Sequence, residues 1–318
     1  MIPVYRSLFE IPVTLGPTVV SIGNFDGVHL GHRQILRAAV TEALQLGGLR
    51  AVALTFEPHP EHFLRPDKAP KRITPSDERL LLLAETGIDA IVVLPFDAAF
   101  ASLTAREFVE QVLVRALQVR GLHEGGSFRF GHRAQAGVKE LAEFGAEFDF
   151  NLTIHEPVHV HGLEVSSSAI RALVTAGDMK RARWMLSRPF VIRSTHAQGR
   201  GVGTRLLVPT INFAAYDGLL PAFGVYVTRL RIGERCFHSV TNVGNRPTFE
   251  GAGFSIETHI LNFEPVDLTD ETPLELEFLF YLREEIRFPS VDALKAQIGK
   301  DVARAKRYFR LAAKNQSS

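Results

Sequence analysis

Two domains of different class are predicted for this 318-residue chain: an α/β domain built on a parallel sheet, then a small β-barrel, or sandwich, with a terminal helix. Three observations predict them. The length exceeds one average domain and suits two, each able to bury its own core. Residues 18–150 alternate short Val- and Ile-rich runs with longer segments of helical period. Beyond residue 189 the pattern changes to strand-like runs split by Gly and Pro.

In the first domain the elements read in order as TVVSI (strand), HRQILRAAVTEALQLG (helix), AVALTF (strand), SDERLLLLAETG (helix), AIVVLPF (strand) and TAREFVEQVLVRAL (helix). Such a βαβαβα series implies parallel strands covered by helices on both faces, with ligands bound beyond the carboxyl ends of the strands. A helix over 167–186 follows, and Ser187-Arg188-Pro189 ends it, because proline cannot continue a helix and restrains the residue before it. The boundary is placed there, giving domains 1–187 and 188–318. In the second domain FVIRSTHA, FGVYVTRLRIG, RCFHSVTNVG, FSIETHILNF and LELEFLFYLREEI read as strands. Residues 290–313 read as the terminal helix, with Ser290 as a candidate cap.

Composition narrows the functional classes. Lys plus Arg number 36 against 35 for Asp plus Glu, so no global basic field selects nucleic acid as the main partner. The single cysteine, Cys236, excludes a disulfide framework and a multi-cysteine zinc cluster, and it fits a reducing cytoplasm. The amino-terminal residues lack the basic-then-apolar order of a signal peptide, and no run of about 18 apolar residues occurs. The expectation is an intracellular protein without a membrane partner; the sequence carries no signal of oligomeric state.

Chemistry enters at GNFDGVHLGH, residues 23–32, directly after the first strand. A glycine-rich strand-to-helix turn leaves backbone N–H groups free to face an anion, and the helix dipole adds positive character. Phosphate is the natural guest. No Gly-Lys-Ser/Thr follows, so this is not a Walker loop, and the spacing is not that of the dinucleotide fingerprint. His29 and His32 stand within one helical turn, so both rings can reach one phosphate chain.

This string resembles the signature of the nucleotidylyltransferase superfamily, whose H-x-G-H element corresponds to His29 through His32. The resemblance implies a Rossmann-like domain in which the histidines stabilise the α-phosphate of ATP as an acceptor displaces pyrophosphate, with Gly23, Asn24, Phe25, Asp26 and Gly31 in the ATP site. TFEPHP (55–60), SFRFGHRAQAG (127–137) and VSSSAIR (165–171) follow in the order found in bacterial bifunctional riboflavin kinase/FAD synthetases. By that likeness Ser167, Ser168 and Arg171 reach the β- and γ-phosphates, although Ser-Ser-Ser-Ala-Ile-Arg by itself reads equally as a plain helix start. Ser127 and Arg129 would contact flavin. Ser127 and Val138 depart from the family, which usually carries Asp or Asn at the first position and Asp at the second. His59, between two prolines, reads as a rigid loop residue as readily as a substrate contact.

In the second domain GRGVGTRLLVPTINF, 199–213, offers a glycine-rich loop and then uncharged oxygens. Read alone, it is a turn entering a strand. The riboflavin kinase module has Pro-Thr-x-Asn here, then Gly-Val-Tyr (224–226), Asn-x-Gly-x-x-Pro-Thr-Phe (242–249), Glu-x-His (257–259) and an element matching LREEIRF (282–288). The resemblance implies ATP contacts at Gly201 and Gly203, a Mg2+ ion shared by Thr210, Asn212 and nucleotide phosphates, flavin contact at Arg283, and Glu257 as general base. Leu206-Leu207-Val208 departs from the usual Leu-Gly-Phe. The expected activity is phosphorylation of riboflavin to FMN and adenylylation of FMN to FAD, each with ATP and Mg2+. A transferase for another small phosphate and a catalytically decayed flavin- or nucleotide-binding regulator are the alternatives.

Overall fold

The computed structural model describes residues 2–197, 210–248, 251–262 and 266–316. Contacts divide the chain into two compact units, Met1–Ser167 and Ser168–Ser318. The division falls before the two helices that the sequence reading placed with the first domain. The second of those helices packs on strands of the barrel.

The first unit is built on a six-stranded parallel sheet. Its strands are β1 (Val4–Tyr5), β2 (Thr18–Ile22), β3 (Arg50–Glu57), β4 (Ala90–Pro95), β5 (Val119–Gly125) and β8 (Asn151–His155), in the order β1-β4-β3-β2-β5-β8. The three strands expected from the sequence form its centre, and β1, β5 and β8 extend it. The chain runs outward from β2 to β3 and β4, then returns to the other side of β2 with β5. The switch point of the topology, where open α/β sheets bind ligands, therefore lies at the carboxyl ends of β2 and β5.

Burial explains why the central strands read as unbroken apolar runs. Val20, Ile22, Val52, Leu54, Val92 and Leu94 join one core cluster, with Val109, Val112 and Leu113. Val19, Ala51, Ala53, Ile91 and Val93 join another, with Leu36, Ala39 and Ala43 of helix α1 (Leu30–Gln45) and Leu82 and Leu83 of α3 (Ser76–Ala84). Successive residues of a strand face opposite sides, so a sheet covered on both faces needs apolar residues throughout. Short α2 (Pro60–Leu64) and α4 (Ala98–Ala101) lie in connections. The helix expected near 104–117 starts as α5 (Ala105–Phe108) under a Thr104/Glu107 capping box, then widens to a π-helical turn pattern over Val109–Ala116. Hairpin β6/β7 (Arg129–Phe130, Ala136–Gly137), α6 (Val138–Phe148) and hairpin β9/β10 (His159–Val160, Leu163–Glu164) complete the unit.

The single helix expected over 167–186 is two helices, α7 (Ser167–Thr175) and α8 (Met179–Leu186). Gly177 between them has φ +78°, which a helix cannot accommodate, and a Cβ there would crowd Tyr281, Ala222 and Tyr226. The stop after Leu186 occurs as expected, with Ser187 left-handed.

The second unit settles the choice between barrel and sandwich. Strands β11 (Phe190–Ala197), β12 (Thr210–Phe213), β13 (Gly224–Ile232), β14 (Arg235–Thr248), β15 (Gly251–Ile260) and β16 (Pro273–Arg283) close as β11-β12-β15-β14-β13-β16. Buried Thr228, Ser239, Thr241 and Thr258 satisfy one another through hydroxyl bonds of 2.7–2.9 Å. Terminal helix α9 (Val291–Gln316) is capped by Ser290, whose Oγ accepts the Ala293 N–H at 3.2 Å. It packs Ala305, Tyr308 and Phe309 against Val225, Val227, Val240, Leu279 and Leu282.

Candidate active sites

In the first unit a cavity of about 470 Å3 lies at the switch point. Its walls come from the β2–α1 turn, the ends of β5 and β8, and residues 164–167. The size suits a nucleotide-sized ligand.

The β2–α1 turn is bent by positive φ at Phe25 (48°), Gly27 (85°) and Val28 (37°). A bulky or β-branched residue rarely adopts such a backbone, and strain of this kind persists only where surrounding contacts over-determine it. Those contacts are present. The Gly23 N–H donates to Leu54 O at 3.0 Å, and Arg79, buried, donates to Asn24 O at 2.9 Å. Arg79 and Arg72 both ion-pair with Glu57 at the end of β3, and Ser76 donates to the same carboxylate at 2.7 Å. The Asp26 carboxylate accepts the Ile73 and Thr74 N–H groups at 3.0 and 3.1 Å, while Ser167 Oγ donates to Asp26 O at 2.9 Å. Asp26 and Asn24 thus hold the turn in shape from behind, and Asp26 spends its carboxylate on the 73–74 backbone.

His29 is the N-cap of α1: its Nδ1 accepts the His32 N–H at 3.4 Å. The two imidazoles stack with centroids 3.6 Å apart and planes 17° from parallel. Gly31 makes room for this, since a Cβ there would lie 3.2 Å from His29 Cε1. Phe25 meets His32 edge-on at 5.3 Å. Burial, and secondly the neighbouring His29, hold the His32 pKa well below its ordinary value. His32 Nδ1 is buried without a hydrogen-bond partner among the described residues. The turn therefore offers an amide-lined helix start and two imidazoles at one cavity wall, the chemistry that accommodates a phosphate chain.

Ser127 lies at this cavity, in the turn after β5, and Arg129 is exposed on β6. Val138 opens α6, whose cap is Gly137. His59 caps α2, accepting the Glu61 N–H at 3.1 Å, which is the structural role. Ser168 and Arg171 sit in the first turns of α7 in the second unit, Ser168 exposed.

Two cavity residues escaped the sequence reading. Glu124 on β5 is 3% exposed and accepts the Ile22 N–H at 2.6 Å. Burial pushes its carboxyl well above the ordinary range, against the opposing effect of that hydrogen bond. His155, at the end of β8, lines the same cavity. The sequence signal for Glu124 was the His-Glu pair in VRGLHEG, and no such signal marked His155.

In the second unit the barrel register brings together residues far apart in sequence. Asn212 of β12 stands opposite Glu257 of β15, and Asn242 of β14 stands opposite Glu257 on its other side. Ile256 and Thr258 point inward and are buried, so Glu257 faces outward and is exposed. Thr210, two residues before Asn212, shares that face. Two uncharged oxygens beside a carboxylate form a hard-oxygen set that suits Mg2+ completed by phosphate oxygens. Gly224, at φ +149°, could not carry a Cβ without meeting Tyr281 and Arg283 O. Arg283 does not present a free guanidinium: Nε and Nη2 hold buried Asp301 of α9 at 2.9 and 2.8 Å, and Nη1 donates to Glu284 O. Gly201, Gly203 and Leu206-Leu207-Val208 lie outside the described residues, as does Phe249.

Comparison with known proteins gives two family matches in sequence order. The FAD synthetase model matches residues 12–169, and the riboflavin kinase model matches 186–309. The bifunctional riboflavin kinase/FMN adenylyltransferase of Escherichia coli K12 is 35% identical over 294 residues, 92% of this chain and 93% of that protein. The Pseudomonas fluorescens protein of the same name is 37% identical, covering 91% and 92%. A crystal structure described as a macrolide-efflux protein from Streptococcus pneumoniae superposes with TM-score 0.85 at 28% identity, covering 95% of this chain and 98% of that one. Among the described residues no helix is long and apolar enough to cross a membrane.

Proposed function

The chain belongs to the bifunctional riboflavin kinase/FMN adenylyltransferase family, and we propose which of its residues perform each half of that activity. It phosphorylates riboflavin to FMN with one ATP and adenylylates FMN to FAD with a second, releasing pyrophosphate. The functional boundary is proposed between 187 and 188, supported by the start of the kinase match at 186. A cytoplasmic location suits an ATP-consuming enzyme with one unpaired cysteine.

In the adenylyl site a phosphate oxygen of FMN attacks the α-phosphorus of ATP as the bond to the β-phosphate oxygen breaks. The nucleophile already lacks its proton, so no base is required. What is required is stabilisation of charge developing on the α-phosphate and on pyrophosphate. His29, His32 and Gly31 at the start of α1 supply preorganised donors; Gly23, Asn24, Phe25 and Asp26 keep the turn bent beside ATP. By the family likeness Ser167, Ser168 and Arg171 are proposed for the β- and γ-phosphates, and Ser127 and Arg129 for FMN.

In the kinase site the riboflavin 5′-hydroxyl attacks the γ-phosphorus while the bond to ADP breaks, and Glu257 takes the hydroxyl proton. Thr210 and Asn212 would hold Mg2+, which neutralises phosphate charge when bound. Gly201 and Gly203 are proposed beside ATP. Arg283 is proposed near flavin through its place at the end of β16, its guanidinium engaged with Asp301.

The observation that carries these assignments is that each half collects its chemistry-bearing residues at one place: the stacked histidines at the helix start, and Glu257 between Asn212 and Asn242. The test incubates the purified protein with riboflavin, ATP and Mg2+, with and without chelator, and separates riboflavin, FMN and FAD. Sequential appearance of FMN and FAD, both lost with chelator, is expected. FMN without FAD, or metal-independent turnover, overturns the assignment.

A further inference from the structure

A buried polar relay crosses the first unit from helix to cavity. Glu42 Oε2 on α1 lies 2.5 Å from His123 Nε2 on β5, and His123 Nδ1 lies 2.9 Å from His155 Nε2 on β8. His123 is 3% exposed. Gly121, on the same strand, makes space for the carboxylate, because a Cβ there would approach Glu42 Oε1 to 2.6 Å. A buried polar network of this kind is retained only when its members satisfy one another. It has no part in the steps described above.

With both rings neutral, the carboxylate fixes every proton. Glu42 accepts Nε2–H of His123, leaving His123 Nδ1 as an acceptor. His155 must then donate Nε2–H, which leaves Nδ1 as a lone-pair acceptor on a residue that lines the cavity. Burial, and secondly His123, lower the His155 pKa, which favours the neutral ring.

Position indicates what it accepts from. In the order β2-β5-β8, His155 stands two strands from the β2–α1 turn that takes the phosphates, about 10 Å at ordinary strand spacing. It is too distant to touch the reacting phosphorus and can meet only a part of a bound substrate remote from the transferred group. The base of ATP carries one hydrogen-bond donor, the exocyclic 6-amino group; its other edge atoms accept. A wall acceptor matches that amine and opposes a 6-oxo purine, which presents an acceptor in its place.

We propose that His155 is a specificity-determining residue of the adenylyl site, accepting a hydrogen bond from the 6-amino group of ATP, with Glu42 and His123 as positioning residues that set its tautomer. This rests on the adenylyl reading above.

The test follows FAD formation from saturating FMN by the full-length protein, with ATP, ITP or 2′-deoxy-ATP as donor. His155→Phe keeps an aromatic ring and removes the acceptor. It should lower kcat/KM for ATP about tenfold, mainly through KM, as expected for one lost hydrogen bond. It should also bring the ATP/ITP ratio toward one and leave riboflavin phosphorylation unchanged. His155→Gln, which keeps an acceptor oxygen, should recover part of the preference, and Glu42→Gln should weaken it in the same direction. An unchanged ATP/ITP ratio in soluble, folded His155→Phe overturns the proposal. So does a changed response to 2′-deoxy-ATP or a changed KM for FMN, since the acceptor would then serve ribose or flavin. If the parent protein makes FMN but no FAD, the adenylyl reading itself fails.

Discussion

The imidazole of His29 lies parallel to that of His32, centroids 3.6 Å apart, while its Nδ1 caps the helix that carries His32. Each ring therefore depends on the other for its place. His32→Ala removes a preorganised donor and should cut FAD formation about 100- to 1000-fold while riboflavin still becomes FMN. His29→Asn retains a capping side chain and His29→Ala does not, so thermal stability should fall only in the second, by about 1 kcal/mol, while both lose FAD formation. Equal loss of kinase and adenylyl rates in either variant would place the histidines outside a separate adenylyl site.

Asp26 holds the 73–74 backbone through two N–H donors, and it is 4% exposed. Asp26→Ala leaves those amides unpaired, with a cost of about 1–3 kcal/mol for each buried donor that finds no water. A lowered melting temperature with a raised KM for ATP is expected. Asp26→Asn, which keeps an acceptor oxygen, should be milder on both measures; an unchanged melting temperature in Asp26→Ala would contradict the bracing role.

Burial pushes the Glu124 carboxyl well above its ordinary value near 4.5. The folded state then binds one more proton than the unfolded state at any pH between the unfolded and folded pKa values. Its contribution to stability therefore declines as pH rises through that window. Glu124→Gln keeps shape and neutrality, so it should be more stable than the parent at pH 7–8, with the difference vanishing near pH 4. Melting temperatures across that range check this, and a constant difference would contradict it.

Ser127 stands at the cavity where family members usually carry Asp or Asn. Ser127→Asn lengthens the hydrogen-bonding side chain and should lower the KM for FMN in the adenylyl reaction. An unchanged or raised KM would show that this chain contacts FMN in another way.

Strands buried on both faces were the easiest to read, because TVVSI, AVALTF and AIVVLPF are apolar throughout. β5 and β8 were not, because VRGLHEG and NLTIH carry histidines and a glutamate whose partners, Glu42 and the Ile22 N–H, come from other elements. The break at Gly177 was hidden in a segment of helical composition and shows only in its positive φ. The histidine pair was legible as a motif, since three residues on one helix turn fix their proximity. Glu124 and His155 were not, since only the order β2-β5-β8 brings them to one cavity. Likewise the engagement of Arg283 with Asp301 depends on how the terminal helix docks, which no local pattern encodes.

The central claim is that one chain carries two separate active sites, one using His32 and the other Glu257. The most direct measurement separates riboflavin, FMN and FAD after incubating His32→Ala, Glu257→Gln and their equimolar mixture with riboflavin, ATP and Mg2+. Glu257→Gln removes the proton acceptor while keeping shape, and loss of a general base costs about 100- to 10,000-fold. The account predicts that His32→Ala stops at FMN, that Glu257→Gln leaves riboflavin unchanged yet converts added FMN to FAD, and that the mixture makes FAD from riboflavin. Near-parent phosphorylation of riboflavin by Glu257→Gln, or a mixture that forms no FAD, would contradict it.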